Sequence, residues 1–398
     1  MVEKKNLEFR DHIPEDILLQ ILLRLPAKSL GRFVSVSKSW ETIIRGRDFI
    51  RLFSSPSRFL LAFNSELKGY QENWSFFSRS TLVSPCEDPP CPPGFVAASR
   101  KVPIEEEEAP EFLTTTECQF KKLRYTKPSY VHGLIGFLYG DEQVVCNPTT
   151  GKSVTLPTVT VKPNEMIVRS FLGYDPVDAR YKVLCLTNVN RFCEHQVFTL
   201  GSAQTQTGSW RMIQCSTPHS ALGNNSVCIG GVLYYTASTS FNMKEPLLVG
   251  FDLRSETLEI ASTFPEGIGS HKFHEAILIN HHGKVALVTR GHVCKGYTFT
   301  LWVLEDAKKR EWSKQVLCFP THWTSRFHGD LEMVGASGLG EFEFLYAPIK
   351  FEELCVYFVD HKSNRMRRVQ LQGNTKHKFR DFRQVFTFLH HVDSLMFT

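Results

Sequence analysis

Apolar residues in this chain follow two different spacings. Between His12 and Arg51 they recur at helical intervals, and after Phe53 they gather in short runs broken by Gly, Asn, Asp and Pro. The first spacing predicts about three short helices and the second an all-β region. In the first helix Ile17, Leu18, Ile21, Leu22 and Leu25 form one stripe, and Leu19 and Leu23 widen it. Pro14 suits the first turn, Glu15 and Asp16 oppose the N-terminal dipole charge, and Pro26 stops continuation, which predicts a helix over about Pro14 to Leu25. Leu30, Phe33, Val34 and Val36 supply a second helix, and Trp40, Ile43 and Ile44 a third.

A segment of roughly 40 residues seldom stabilises alone without a staple or a partner. Burying five or six of these side chains on another protein gains on the order of 10 kcal/mol gross, much of it consumed by ordering and rigid-body costs. The pattern predicts docking. The alternative is a helical cap folded onto the rest of the chain, with its leucines as ordinary core.

Strand candidates run through the remainder: Phe59 to Phe63, Trp74 to Phe77, Gln143 to Cys146, Tyr181 to Leu186, Val197 to Leu200, Val232 to Tyr235 and Leu247 to Asp252. Others are Ala276 to Ile279, Val285 to Thr289, Thr298 to Leu304, Phe342 to Tyr346, Leu354 to Asp360, Val385 to Phe388 and Leu395 to Phe397. Several end in a turn opened by Asn147, Asp252, Asp306 or Asp360, whose side chain can accept from the backbone two residues on. These positions lie 105, 54 and 54 residues apart, and the missing member falls near Leu200 to Ser202. Multi-strand units of this period predict propeller blades. Five span about Val131 to Leu371, and the C-terminal strands can pair with Phe59 to Phe63 and Trp74 to Phe77 to close a sixth. The fold class is therefore α+β and multidomain: a helical module at 8–53 and an all-β, propeller-like domain of about six blades at 57–398. An irregular β-sandwich is the alternative. Residues 84–117, rich in Pro and ending near the acidic run Glu105 to Glu108, read as a long exposed loop.

Composition adds limits. The chain has 398 residues, 42% of them hydrophobic, with 31 Phe, enough for a sizeable core, and a formal charge of +5 that gives no reason to invoke nucleic acid or membrane. No secretory leader or stretch of about 18 apolar residues is seen. Eleven Cys, mostly isolated within apolar runs, suit buried thiols in the cytoplasm or nucleus.

The N-terminal segment resembles the F-box, the adaptor-docking module of cullin-based ubiquitin ligases. The resemblance rests on Ile13-Pro14-Glu15-Asp16-Ile17, Ile21-Leu22-Leu23-Arg24-Leu25-Pro26, Leu30, Arg32-Phe33, Val36, Lys38-Ser39-Trp40 and Ile43. Ile13 stands where the family usually has Leu, and Ser37 where it usually has Cys. It implies contact with a Skp-type adaptor through Ile13, Pro14, Ile17, Ile21, Leu22, Leu25 and Pro26, with Leu30, Phe33, Val36 and Trp40 shared between contact and internal packing. The phrases HGLIGFLYGDEQVVCNPTTGKSVTLP, LGYDPVDARYKVL, GSWRMI and CIGGVLYYTA followed by VGFDLRSETLEI resemble the F-box-associated β-domain of plant F-box proteins. That resemblance implies a surface for the protein to be ubiquitylated. The expected function is a non-catalytic substrate-recognition subunit, joined through the adaptor to cullin, with proximity as its contribution.

No cofactor or metal is expected. Cys86 and Cys91 lack a second ligand pair at zinc-site spacing. His281-His282, His390-His391 and His292 lack an orienting carboxylate and read as turn or surface residues. Gly151-Lys152 and Gly283-Lys284 read as hairpin turns, and Arg365, Arg367 and Arg368 as a solvated blade edge. Two rival readings remain: a propeller enzyme acting on a small molecule or glycan, which requires several Asp, Glu or His side chains in the central channel, and a Skp-binding scaffold independent of any ligase.

Overall fold

The computed structural model describes residues 14–25, 27–53, 58–66, 71–80, 114–121, 127–139, 141–161, 166–189, 192–201, 208–240, 245–268, 273, 275–293, 296–319, 331–339, 342–348, 355–370 and 382–397. Four helices come first: α1 (Glu15–Leu23), α2 (Ala27–Phe33), α3 (Lys38–Ile44) and α4 (Arg47–Phe53). The sequence predicts three. The run from Trp40 to Phe53 divides because the helical hydrogen bonds of α3 end at Arg45 and Gly46, and α4 starts afresh with Asp48 in its first turn.

Among the described residues, twenty-four strands then form six four-stranded antiparallel sheets. The first contains β1 (Arg58–Glu66), β2 (Gln71–Ser80) and β3 (Thr114–Lys121). The second contains β4 (Ser129–Val131), β5 (Leu134–Tyr139), β6 (Glu142–Asn147) and β7 (Lys152–Thr155). The third has β8 (Ile167–Asp175), β9 (Arg180–Val189), β10 (Phe192–Thr199) and β11 (Arg211–Ile213), and the fourth β12 (Ser220–Ile229), β13 (Val232–Ser238), β14 (Pro246–Asp252) and β15 (Thr257–Thr263). The fifth has β16 (Ile277–His281), β17 (Lys284–Val293), β18 (Gly296–Asp306) and β19 (Glu311–Cys318), and the sixth β20 (Leu331–Leu339), β21 (Phe342–Pro348), β22 (Cys355–Asp360) and β23 (Arg365–Gln370). The last strand, β24 (Phe382–His391), pairs with β1, Leu61 opposite Thr387, and so completes the first blade from the far end of the chain. The expected six-bladed ring is thus present.

Each pair of neighbouring blades shares an apolar cluster, the second and third blades a further small one, and together they make a closed circle of cores. Alternation along a strand builds it: Val144 of β6 packs toward the first blade and Val145 toward the third, and Leu248 and Val249 of β14 divide in the same way. A strand buried on both faces reads as a continuous apolar run. No blade buries its faces alone.

The predicted Asx turns are realised in four blades. Asn147 Oδ1 accepts from the Thr149 amide at 2.9 Å, Asp252 Oδ1 from Arg254 at 2.9 Å, Asp306 Oδ1 from Lys308 at 2.8 Å and Asp360 Oδ1 from Lys362 at 3.0 Å. Four residues after each lies a left-handed residue: Gly151, Glu256, Arg310 or Asn364. Glu256 has a reason to be there, since its carboxylate accepts from Lys182 and Arg211 of the third blade at 2.7 Å each. Among the described residues Arg310 shows no comparable contact, and its φ of +58° is strained for a residue bearing Cβ. Arg310→Gly is expected to raise stability by about 0.5–1 kcal/mol, after allowing for the greater entropy of unfolded glycine. Urea unfolding measures this, and a destabilised variant would contradict it.

Other expectations changed. Residues 84–113 lie outside the described residues, and 114–117, placed in the loop, belong to β3. Leu395 to Phe397 form a tail instead of a strand, because their backbone partner is the side chain of Asn147, whose Nδ2 donates to the carbonyls of Ser394 and Met396 at 2.8 Å each. His391 is buried against Tyr130, not at the surface. Gly151-Lys152 and Gly283-Lys284 are hairpin turns as expected, and Arg365, Arg367 and Arg368 lie on β23, the outermost strand of its blade. Cys86 and Cys91 lie outside the described residues.

Candidate functional site

Two apolar stripes run along α1, and packing separates them. Leu18 and Leu22 turn inward to join Leu30, Ile44 and Phe49 in the core of the helical module. Ile17 and Ile21, one helical turn apart, are 48% and 46% exposed. Val36, in the turn after α2, is 61% exposed, and Leu52 on α4 is 52% exposed. Four large aliphatic side chains thus stand in water on a module of four short helices.

Local structure fixes this presentation. Pro14 is the extended N-cap of α1, itself exposed, and its carbonyl accepts the Leu18 amide at 2.9 Å. Ser37 caps α3: its hydroxyl accepts from the Trp40 amide at 3.2 Å. A hydroxyl satisfies an orphan helix amide better than a thiol does, which accounts for Ser at this position. Phe33 and Trp40, both half-buried, pack at 5.1 Å between ring centroids and hold α2 against α3.

The expected contact residues therefore divide. Pro14, Ile17, Ile21 and Val36 are exposed; Leu25, Phe33 and Trp40 are half-buried; Leu22 and Leu30 are fully buried inside the module and present no surface. A direct contact through Leu22 or Leu30 is corrected to core packing, since a side chain with no exposed area offers nothing to a partner. Ile13 and Pro26 lie outside the described residues. Leu52 was missed from sequence; its helical spacing from Asp48 and Phe49 was legible once α4 was recognised as a separate helix.

The core of the module also touches Leu395 of the C-terminal tail. The tail is anchored in turn by Asn147 and by Phe397, which is buried between the second and third blades. Tyr130 of β4 joins the same seam, its hydroxyl accepting from the Gly133 and Val392 amides at 3.1 and 3.2 Å.

The central channel holds a cavity of about 430 Å³ lined by inner strands β4, β12, β16, β20 and β24, with Tyr130, Asn225, Ile279, Met333 and Phe388 on its wall. Among the described lining residues the carboxylate is Glu332, which pairs with Lys127. His132 stacks on Tyr174 at 4.1 Å, and burial pushes its imidazole below the usual histidine range. His390 also lines the cavity, so Glu332, His132 and His390 are its Asp, Glu and His side chains among the described residues. No described helix is long and apolar enough to cross a membrane.

A family model described as the F-box domain matches residues 11–52, and one described as the F-box associated beta propeller domain matches residues 74–392. The chain is 49% identical to the putative F-box protein At1g47800 of Arabidopsis thaliana over 92% of this chain and 99% of that one. It is 51% identical to the F-box protein At1g47810 of the same plant, over 87% and 99%. Among solved structures, the periplasmic gluconolactonase of Pseudomonas aeruginosa is similar at a TM-score of 0.37 and 10% identity, over 83% of this chain and 99% of that one. An apolar helical module joined to a closed six-bladed ring, matched along nearly its whole length, makes this chain a member of the F-box proteins that carry an F-box associated β-propeller domain.

Proposed function

We propose that this chain is the substrate-recognition subunit of a Skp–cullin–F-box ubiquitin ligase in the cytoplasm or nucleus. Pro14, Ile17, Ile21 and Val36 dock a Skp-type adaptor, Leu25, Phe33 and Trp40 contribute at the margin, and the propeller holds the protein to be modified. The observation that carries the reading is the pair Ile17 and Ile21, half-exposed on α1 while Leu18 and Leu22 fill the core behind them. Burying a whole isoleucine side chain contributes about 1.5–3 kcal/mol and covering the exposed half roughly half of that, so the pair favours a protein partner over water. The chain brings target and ligase together and supplies no nucleophile.

The test is affinity purification of the full chain from plant cells. Cullin and the Skp-type adaptor are expected with the wild type and absent with an Ile17→Asp, Ile21→Asp double variant, whose targets accumulate. Adaptor recovered without cullin would instead favour the ligase-independent scaffold.

A further inference from the structure

Where the third blade passes to the fourth, a polar cluster is sealed within an apolar interface. His195 on β10 and His219 just ahead of β12 are 1% and 2% exposed, and Tyr235 on β13 is wholly buried. Cys215, in the connection from β11 to β12, lies beside them. The Nε2 atoms of the two histidines are 3.2 Å apart, and the Tyr235 hydroxyl is 2.7 Å from His219 Nε2 and 3.3 Å from His195 Nε2. Cys215 Sγ is 3.6 Å from His219 Nδ1, and one donor atom from each of His195, Cys215 and His219 falls within 4.8 Å of the others.

The proton arrangement leaves this cluster incomplete. His219 Nδ1 lies 2.8 Å from the Thr217 carbonyl, an acceptor only, so Nδ1 carries the proton and Nε2 presents a lone pair. His195 Nδ1 is buried with no hydrogen-bond partner among the described residues. If the His195 proton sits on Nε2, a buried acceptor is orphaned; if it sits on Nδ1, a buried donor is orphaned and two lone pairs face each other. Either tautomer is costly.

We propose that His195, His219 and Cys215 form a binding site for a tetrahedral divalent cation of the zinc type. Two imidazole nitrogens on tetrahedral zinc, at bond lengths of about 2.05 Å, stand about 3.3 Å apart, and the observed 3.2 Å already matches. Imidazole and thiolate donors select zinc over magnesium or calcium. The Thr217 carbonyl on His219 Nδ1 is the kind of outer contact that fixes a ligating imidazole. Cys215 and His219 are separated by three residues, so one short connection supplies two of the ligands. On binding, the Cys215 thiol gives up its 3.1 Å hydrogen bond to the Thr217 carbonyl, its proton leaves to solvent, the thiolate turns onto the cation, and the fourth position faces the Tyr235 hydroxyl. The cation ties β10 to the crossover that leads into the fourth blade, so the stability of that interface depends on zinc.

The full-length chain, stripped with chelator, is titrated with Co(II) and Zn(II). One equivalent of Co(II) is expected to give thiolate charge-transfer absorption and the intense visible bands of a tetrahedral site, and Zn(II) to raise the unfolding midpoint. Cys215→Ser, nearly isosteric, is expected to lose the charge-transfer band and weaken zinc binding at least about tenfold. Tyr235→Phe keeps all three ligands and is expected to retain one equivalent. Absence of a stoichiometric cobalt spectrum in the wild type, or the same spectrum and affinity in Cys215→Ser, overturns the proposal. If Cys215→Ser does not fold, His195→Gln is read by the same spectrum, and an unchanged spectrum there is equally fatal.

Discussion

Asn147→Asp, a change of one atom, is expected to cost this chain on the order of 3–5 kcal/mol, whereas Asp→Asn at the equivalent turn positions 252, 306 and 360 costs little. All four side chains initiate the same turn through Oδ1. Asn147 alone among them is wholly buried, and only its amide donates to the carbonyls of Ser394 and Met396. A carboxylate there has no donor, so two buried hydrogen bonds are lost and a negative charge faces two carbonyl oxygens. The substituted carboxyl group is driven to a raised pKa in the folded state. The variant is therefore least destabilised at low pH and loses stability as pH rises through the carboxyl range. Release of the tail also removes Leu395 from the helical module, so limited proteolysis is expected to cut after β24 in the variant before it cuts any blade. Equal unfolding midpoints for Asn147→Asp and wild type would refute the anchoring role.

Trp74→Ala is expected to cost about 3–5 kcal/mol and to open the ring. Trp74 on β2 is fully buried, its ring 4.8 Å from Phe137 of the second blade and 5.8 Å from Phe386 of β24. It thus packs where the first and last strands of the ring meet, and the cavity left by alanine falls on the closure itself. Its Nε1 has no partner among the described residues. Trp74→Phe removes that orphaned donor together with some volume and is expected to cost far less than Trp74→Ala. Guanidinium unfolding of both variants measures the difference; two equal losses would mean that the ring's bulk plays no part in closure.

How much of this was legible in sequence depended on how many faces of an element are buried. β6, β14, β18 and β22 sit between two blades, so their apolar runs and terminal Asx residues stood out. β12 and β20 line the channel and did not. They read SALGNNSVCI and LEMVGASGL, with register shifts between Ala221 and Ser226 and between Met333 and Gly335, and so lack a period of two. Gly223 illustrates why: a Cβ there would lie 2.5 Å from Thr236 Oγ1, so close strand approach replaces the alternating side chain. The docking helix was legible in position but not in rotation. Ile17 with Ile21 and Leu18 with Leu22 are equally apolar pairs, and only the contacts with Leu30, Ile44 and Phe49 decide which pair faces inward. The candidate zinc ligands were hard to see for another reason: His195 lies on β10, whereas Cys215 and His219 lie in the connection from β11 to β12, and no fixed spacing ties His195 to that pair.

The central claim is that Ile17 and Ile21 are exposed because another protein covers them. Calorimetric titration of a purified Skp-type adaptor into the full chain tests it most directly. Ile17→Asp, Ile21→Asp is expected to weaken binding at least about a hundredfold, since covering the exposed halves of the two isoleucines contributes about 1.5–3 kcal/mol and an unpaired carboxylate at the interface costs more, while the unfolding midpoint stays within a degree or two because both side chains are half in water already. Undiminished affinity in the double variant would contradict the claim.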